Sequence, residues 1–337
     1  MLGWPQSVMH PRERAEGDTM APIPTTSPPR WHTWTDVVIG GAWLVVAAWV
    51  WTTRADTLLA GHPAYAVAIT VAGLVGALVL VMALRTTGGG PRRRWVAVTL
   101  RVVGGLLSVV VLTALVWLRP FPASEVAVAA MEGSDGVRVH DSPTRITLAP
   151  DGPAPTTGLV FQPGARVDPR AYVALLAEVA RSGHLVVVVK QPLGIGFTAL
   201  GTPEEIIEDH PEVDRWAVGG HSLGGVVAGI FARDHDLDGL LLWASFPSES
   251  LARRDLVASS ISGTEDLLTT PRDIEDSRAD LPPGSTFVAV EGAVHAFFGD
   301  YGEQPGDGRP TVSRDEAQAR IVAASVLLLD ELSRPTD

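Results

Sequence analysis

A serine flanked by glycines is the first candidate for chemistry in this sequence. Residues 219–225 read GGHSLGG and contain a G-x-S-x-G pattern, in which Ser222 lies between Gly220 and Gly224. Small neighbours allow a serine to occupy a sharp, strained turn that lifts its hydroxyl clear of the surrounding chain. Because the pattern also arises by chance in glycine-rich chains, a strand before it and a helix after it are needed to give it meaning.

The segments around this motif supply that context, because short apolar runs alternate with amphipathic stretches. Residues 185–189 read LVVVV, a continuous run typical of a strand covered on both faces of a parallel sheet. Strands are predicted at residues 125–131, 136–140, 145–149, 158–161, 185–189, 216–218, 239–244, 256–260 and 286–290. Helices are predicted at residues 169–181, 204–208, 223–233 and 314–333. The sequence therefore predicts an α/β fold with a mainly parallel sheet and helices on both faces.

In this arrangement Ser222 lies between a buried strand and the N-terminus of a helix, where the helix dipole favours a developing negative charge. Over about residues 125–333 the chain resembles the alpha/beta hydrolase superfamily. The resemblance implies a nucleophile, an acid and a histidine in that order along the chain, and it identifies Ser222 as the nucleophile. The alternative is a glycine-rich turn with a structural role only.

The resemblance also identifies the other two members of a catalytic triad. Residues 263–271, GTEDLLTTP, are similar to the acid loop of the superfamily, with Asp266 as the acid and Glu265 as the alternative. Residues 291–298, EGAVHAFF, are similar to its histidine loop, with His295 as the base. His295 would take the proton from Ser222 and return it to the leaving group, and Asp266 would hold the imidazole in the required tautomer. His221, beside the nucleophile, is interpreted as a packing residue.

An oxyanion hole requires two backbone N–H groups. One is expected from Leu223, the residue after the nucleophile, and the other from the loop after an early strand, which here reads Gln162-Pro163-Gly164-Ala165. Many members of the superfamily have His-Gly at this point. Proline has no N–H, so the second donor is expected to be Gly164 or Ala165.

The superfamily often carries an inserted lid between two late strands. Only about eleven residues separate the strands predicted at 239–244 and 256–260, so we expect almost no lid and an open site. The chain therefore looks nearer to the compact, lidless dienelactone-hydrolase-like branch. The prototype of that branch uses cysteine as its nucleophile, whereas this chain has Ser222 at that position and no cysteine at all.

The first third of the chain has a different character. Residues 1–35 are rich in proline, serine, threonine and arginine, and we interpret them as a disordered tail. Three apolar runs follow, at residues 37–53, 64–84 and 96–118. Each is close to the roughly 20 residues that cross a bilayer, and none has the polar face of a soluble helix. We therefore expect three transmembrane helices within residues 36–119; buried soluble helices, or a cleaved signal peptide for the first run, are the alternatives.

Arginines predict how these spans are oriented, since cytoplasmic loops are enriched in positive charge. Three spans place the tail and the second loop on one side, which carries seven arginines against two on the other. The seven are Arg12, Arg14, Arg30, Arg85, Arg92, Arg93 and Arg94, and the two are Arg54 and Arg119. The tail is therefore expected to be cytoplasmic and the domain at residues 123–334 extracytoplasmic.

Charge and composition exclude other classes of function. Residues 1–120 hold ten basic and five acidic residues, whereas residues 121–337 hold sixteen basic and thirty-three acidic ones. So acidic a domain argues against a nucleic-acid partner, which requires clustered Lys and Arg. Without cysteine there are no disulfides or thiolate metal sites, and no metal-binding motif or cofactor-binding pattern occurs.

Together these observations predict a membrane-anchored serine hydrolase without cofactor or metal. Its partners would be a small acyl substrate and the lipid bilayer, and its reaction the cleavage of an ester or related acyl bond. Thioester, amide or C–C bond hydrolysis remains open, as does an inactive binding or sensor module on the same fold.

Overall fold

The computed structural model describes residues 31–85 and 94–334. Three long helices lead the described chain: α1 (Trp31–Ala60), α2 (Pro63–Arg85) and α3 (Arg94–Trp117). By length and composition, each contains a segment that is apolar enough to cross a membrane, namely Trp34–Ala60, Pro63–Arg85 and Val98–Trp117.

The helices extend beyond the apolar runs that predict them. α1 begins at Trp31, so residues 31–35 are helical, and their assignment to a disordered tail is wrong. α1 also continues past residue 53 to Ala60, with a break in its helical conformation at Arg54 (φ −143°, ψ 20°). The break coincides with the end of the apolar run, where polar residues replace apolar ones. The rest of the predicted tail, residues 1–30, and the arginine-rich segment 86–93 lie outside the described residues.

Close packing between α1 and α2 depends on two facing glycines. A Cβ atom at Gly40 would lie 2.9 Å from the carbonyl oxygen of Gly76, and one at Gly76 would lie 2.9 Å from the carbonyl oxygen of Gly40. Small residues at a helix crossing let the backbones approach closely. Each helix contributes one glycine to this contact. The contact therefore does not require a G-x-x-x-G motif within either apolar run.

This contact leads to a prediction with a neighbouring control. Gly40→Val should lower the stability of the full chain in detergent by about 1–3 kcal/mol, because the added atoms overpack the helix crossing. Gly41→Val changes helix propensity equally, but a Cβ there meets nothing within 4 Å. Thermal unfolding of both variants measures the difference; equal melting temperatures would contradict the assigned contact.

The remaining chain forms one eight-stranded sheet with flanking helices. The strands are β1 (Val137–Asp141), β2 (Arg145–Pro150), β3 (Thr157–Gln162), β4 (Leu185–Val189), β5 (Arg215–His221), β6 (Gly239–Trp243), β7 (Val257–Gly263) and β8 (Thr286–Val290). The helices are α4 (Glu125–Ala130), α5 (Val173–Arg181), α6 (Thr202–Glu208), α7 (Leu223–Asp234), α8 (Pro271–Asp276) and α9 (Arg314–Leu332).

The sheet order is β1-β2-β4-β3-β5-β6-β7-β8. β1 and β2 pair antiparallel, β2 pairs antiparallel with β4, and all remaining neighbours are parallel. One core cluster packs α5 and α9 against one face, and a second packs α6 and α7 against the other. The predicted α/β architecture is therefore confirmed, and the carboxyl ends of β3 to β8 share one edge of the sheet.

One predicted strand is wrong. Residues 125–131 alternate in size, but the structure places helix α4 there. Ser124 caps this helix, since its hydroxyl oxygen accepts a hydrogen bond from the Ala127 N–H, and three alanines favour the helical conformation. A six-residue segment is too short for its alternation to distinguish a strand from a helix.

Candidate active site

Ser222 lies at the sharp turn between β5 and α7, which we call the elbow. Its backbone has φ 53° and ψ −124°, a region that residues with side chains rarely occupy. Such strain costs on the order of 1–3 kcal/mol and persists only where the surrounding structure enforces it. The side chain of Ser222 is partly exposed, so the turn presents the hydroxyl at the carboxyl edge of the sheet.

The flanking glycines are required by this turn. A Cβ atom at Gly220 would lie 2.4 Å from the backbone carbon of Gly224. A Cβ atom at Gly224 would lie 2.0 Å from the carbonyl oxygen of Gln162, at the end of the neighbouring strand β3. These distances are far below van der Waals contact, so no larger residue fits at either position.

Asp266 and His295 form a buried hydrogen-bonded pair. The Nδ1 atom of His295 lies 2.8 Å from Oδ2 of Asp266, and both side chains are almost fully buried. The other carboxylate oxygen, Oδ1, accepts hydrogen bonds from the N–H groups of Leu268 and Thr269 at 2.8 and 2.7 Å. These bonds fix the carboxylate, which in turn directs Nε2 of the imidazole away from Asp266.

His295 lies beside the elbow. The ring centroids of His295 and His221, the residue before Ser222, are 4.5 Å apart. Nε2 of His295 is buried and makes no hydrogen bond to the described residues. No hydrogen bond joins it to the Ser222 hydroxyl in the described part of the chain; such catalytic contacts often tighten only when substrate binds.

The loop after the histidine contributes a residue that motif reasoning missed. Oδ1 of Asp307 accepts a hydrogen bond from the His295 N–H at 3.1 Å, and Oδ2 accepts one from the Ala296 N–H at 2.8 Å. Asp307 therefore caps the 3₁₀ turn that begins at His295. Its segment, residues 302–308, is polar and glycine-rich, and nothing in its pattern marks one carboxylate as special.

Asp307 is expected to position the base. Asp307→Ala removes both acceptors from the turn and should lower kcat by about ten- to a hundredfold, since small misplacements of catalytic groups have effects of this size. KM and the melting temperature should change much less. Glu303→Ala, an exposed carboxylate in the same loop, is the control. Equal kcat values for the two variants would show that Asp307 does not position His295.

His221 packs the inner wall of the site, as interpreted from the sequence. Its Nδ1 lies 2.9 Å from the hydroxyl of Tyr172, and its ring stacks on Phe298 at 5.9 Å. Burial, followed by the effect of neighbouring His295, holds the pKa of His221 well below its ordinary value. His221 therefore stays neutral at neutral pH, which fits a packing role.

The Tyr172 hydroxyl bears on the choice between the two expected oxyanion donors. The N–H of Gly164 donates to this hydroxyl at 2.9 Å, and this existing partner favours Ala165 as the donor. Ala165 follows it at a partly exposed position. Leu223 is the first residue of α7, where the helix itself offers the N–H no partner. We therefore expect the two donors to be Leu223 and Ala165, and the identity of the donors stays a prediction.

The described residues contain no group of three or more His, Cys, Asp or Glu side chains that could hold a metal ion. The segment between β6 and β7, residues 244–256, contains no helix or strand. The domain therefore has no inserted lid at this point.

Comparisons with known proteins agree with the fold. Residues 158–319 match the model of the alpha/beta hydrolase family. No curated protein sequence matches the chain.

Solved structures are similar to part of this chain at low identity. One is a dienelactone hydrolase-like promiscuous phosphotriesterase from metagenomic libraries, with 18% identity, a TM-score of 0.41, and coverage of 56% of this chain and 92% of that one. Another is a ferulic acid esterase from Streptomyces cinnamoneus, with 17% identity, a TM-score of 0.43, and coverage of 55% and 72%. A third is TT1662 from Thermus thermophilus, with 17% identity, a TM-score of 0.44, and coverage of 59% and 99%. With the parallel sheet, the match over residues 158–319 shows that the C-terminal domain of this chain has the alpha/beta hydrolase fold.

Proposed function

We propose that this protein is a membrane-anchored serine hydrolase that cleaves an ester or related acyl bond through an acyl-Ser222 intermediate. The observation that carries the proposal is the strained elbow of Ser222 beside a buried, hydrogen-bonded Asp266–His295 pair. A structural glycine-rich turn would need neither the strain at the serine nor an oriented imidazole next to it.

The reaction follows from this arrangement. Nε2 of His295 takes the hydroxyl proton as Ser222 Oγ attacks the acyl carbon. Asp266 stabilises the imidazolium that forms, and the N–H groups of Leu223 and Ala165 bind the developing oxyanion at the N-terminus of α7. His295 then gives the proton to the departing alcohol. In the second half-reaction His295 activates a water molecule, which releases the carboxylic acid and restores Ser222.

The anchoring is proposed on the helices α1–α3, which are long and apolar enough to span a bilayer. We place the spans within residues 36–119 and the catalytic domain at residues 123–334. The domain is proposed to be extracytoplasmic, because the arginine count places the tail and the second loop in the cytoplasm.

A contact between α1 and α3 fits this arrangement. Nε of Arg101 lies 3.1 Å from Oδ2 of Asp36. An arginine within an apolar segment is costly unless it is paired or reaches the interface, and Asp36 provides the pair near the starts of both helices. Arg101 thereby acts as an interfacial anchor in the proposed topology.

A fluorophosphonate probe tests the proposed nucleophile in the full chain. We expect covalent labelling of the wild-type protein and no labelling of Ser222→Ala. Ser248→Ala, an exposed serine at the same edge of the sheet, should label normally. A wild-type protein that fails to label would favour an inactive binding module. Labelling that survives in Ser222→Ala would place the nucleophile elsewhere.

A further inference from the structure

We infer that the opening of the active site, its mouth, faces the bilayer surface. We also infer that the substrate is an acyl ester with a long apolar chain held in the membrane. This inference rests on the proposed function, since it requires both the hydrolase site and the membrane spans. It is independent of which side of the membrane the domain occupies.

The loop after β4 connects the domain with the helices. Leu193 packs against the apolar cluster of the helices that contains Leu58, Tyr65 and Leu115. Its backbone has φ 56°, a left-handed conformation that residues with a side chain rarely adopt. The domain and the helices are therefore in direct apolar contact at this loop.

The loop after β3 makes a second set of contacts. NH2 of Arg170 bonds Oδ2 of Asp168 at 2.7 Å and also bonds the carboxylate of Asp56, near the end of α1. The guanidinium of Arg166 lies 4.6 Å from the ring of Trp117, the last residue of α3. Arg166 directly follows Ala165, one of the candidate oxyanion donors. The ends of α1 and α3 therefore hold the loop that forms one side of the active site.

These contacts fix which way the site faces. The loops that touch the helices follow β3 and β4, and the loops with Ser222, Asp266 and His295 follow β5, β7 and β8. All five strands end at the same edge of the sheet, because β3 to β8 are parallel. The edge that carries the catalytic groups is thus the edge docked on the turn between α1 and α2. If α1 to α3 cross a bilayer, this edge lies at its surface.

The exposed apolar residues of the domain are concentrated on the same edge. Among the described residues from 123 onward, seven large apolar side chains are exposed. They are Val126, Val128, Phe197, Leu200, Leu267, Leu268 and Leu327. Four of them, at 197, 200, 267 and 268, lie on the loops after β4 and β7, and two lie on α4, shortly after the last span. Only Leu327, on α9, lies away from these segments.

Apolar side chains at the mouth of a membrane-docked site have a clear physical consequence. Each is stabilised when it is removed from water into an apolar phase, and an interfacial position provides that phase. An ester with a long acyl chain is concentrated in the same layer, so it reaches Ser222 without crossing water. After cleavage the chain leaves as a carboxylic acid, and the alcohol departs with the proton from His295.

The test compares two esters on the full chain reconstituted in dioleoylphosphatidylcholine vesicles. p-Nitrophenyl palmitate partitions into the bilayer, whereas p-nitrophenyl acetate stays mainly in water. The double variant F197S/L200S should lower the palmitate-to-acetate rate ratio by about tenfold, as expected for the loss of roughly 1.4 kcal/mol of apolar contact. L327S, an equally polar change on α9, should leave the ratio unchanged. The acetate rate of each variant also reports the amount of folded enzyme.

A second measurement addresses the source of the substrate. Adding empty vesicles at constant total palmitate ester should lower the rate, because the ester is diluted within the membrane surface. An unchanged ratio in F197S/L200S, or a rate that does not respond to added vesicles, would overturn the inference. Hydrolysis of acetate that depends on Ser222 would then still support the proposed function, whereas its absence would refute both.

Discussion

Ser222→Ala is expected to abolish the hydrolysis of a model ester such as p-nitrophenyl acetate. His295→Ala should lose nearly as much, because neither group can form the acyl intermediate alone. For residues that act as one unit, kcat falls by about 10³–10⁶-fold. Asp266→Asn should cost the same or less, because Asp266 orients the imidazole and stabilises its charge without touching the bond that breaks.

Three controls separate chemistry from folding. Ser248→Ala and His210→Ala change the same residue types outside the site and should retain activity. The melting temperature of Ser222→Ala should equal or exceed that of the wild type, because alanine removes the polar group but keeps the backbone turn. Near wild-type turnover by Ser222→Ala would show that the site assignment is wrong. Equal losses in the control variants would point to general destabilisation.

The elbow was predictable from sequence because its constraints are local. Gly220 and Gly224 flank Ser222. A side chain at either position would clash with atoms of the turn itself or of the adjacent strand. The continuous apolar strands were equally recognisable, since burial on both faces leaves a simple signature. Local sequence therefore predicts the parallel sheet and the sharp turn at which Ser222, the proposed nucleophile, lies.

Contacts between distant segments were not predictable in this way. The preference for Ala165 over Gly164 as the expected donor depends on the Tyr172 hydroxyl, which reaches the loop from a different element. The support of His295 by Asp307 depends on how a long polar loop folds back. The docking of Leu193 on the helices joins two parts of the chain that share no pattern. In each case the contacting residue belongs to a different segment of the chain. No short segment of the sequence therefore predicts the contact.

The second large effect concerns membrane topology, where the expected outcome is close to all-or-none. Alkaline phosphatase is active only when it folds outside the cytoplasm. Fused after residue 122 and expressed in a bacterial host, it should be active, and fused near Gly89 it should be inactive. The reason is the distribution of arginines, seven on the side of the tail and the second loop against two on the other.

Charge substitutions test the physical cause directly. Replacing Arg92, Arg93 and Arg94 together by glutamine removes nearly half of the arginines on the side that is predicted to be cytoplasmic. This variant should raise the activity of the fusion near Gly89 and lower that of the fusion after residue 122. Replacing three arginines of the catalytic domain that lie well after the last span in the sequence, Arg253, Arg272 and Arg320, is the matched control. It should change neither fusion, because long domains translocate largely regardless of their charge.

Protease treatment of intact spheroplasts provides an independent readout. The domain from about Ala123 onward should be accessible from outside, while α1 to α3 remain protected in the membrane. Full protection of the domain, together with an inactive fusion after residue 122, would reverse the orientation. The hydrolase would then face the cytoplasm and act on esters in the inner leaflet. Ser222, Asp266 and His295 would keep their assigned roles, because the geometry of the site does not depend on the side of the membrane it occupies.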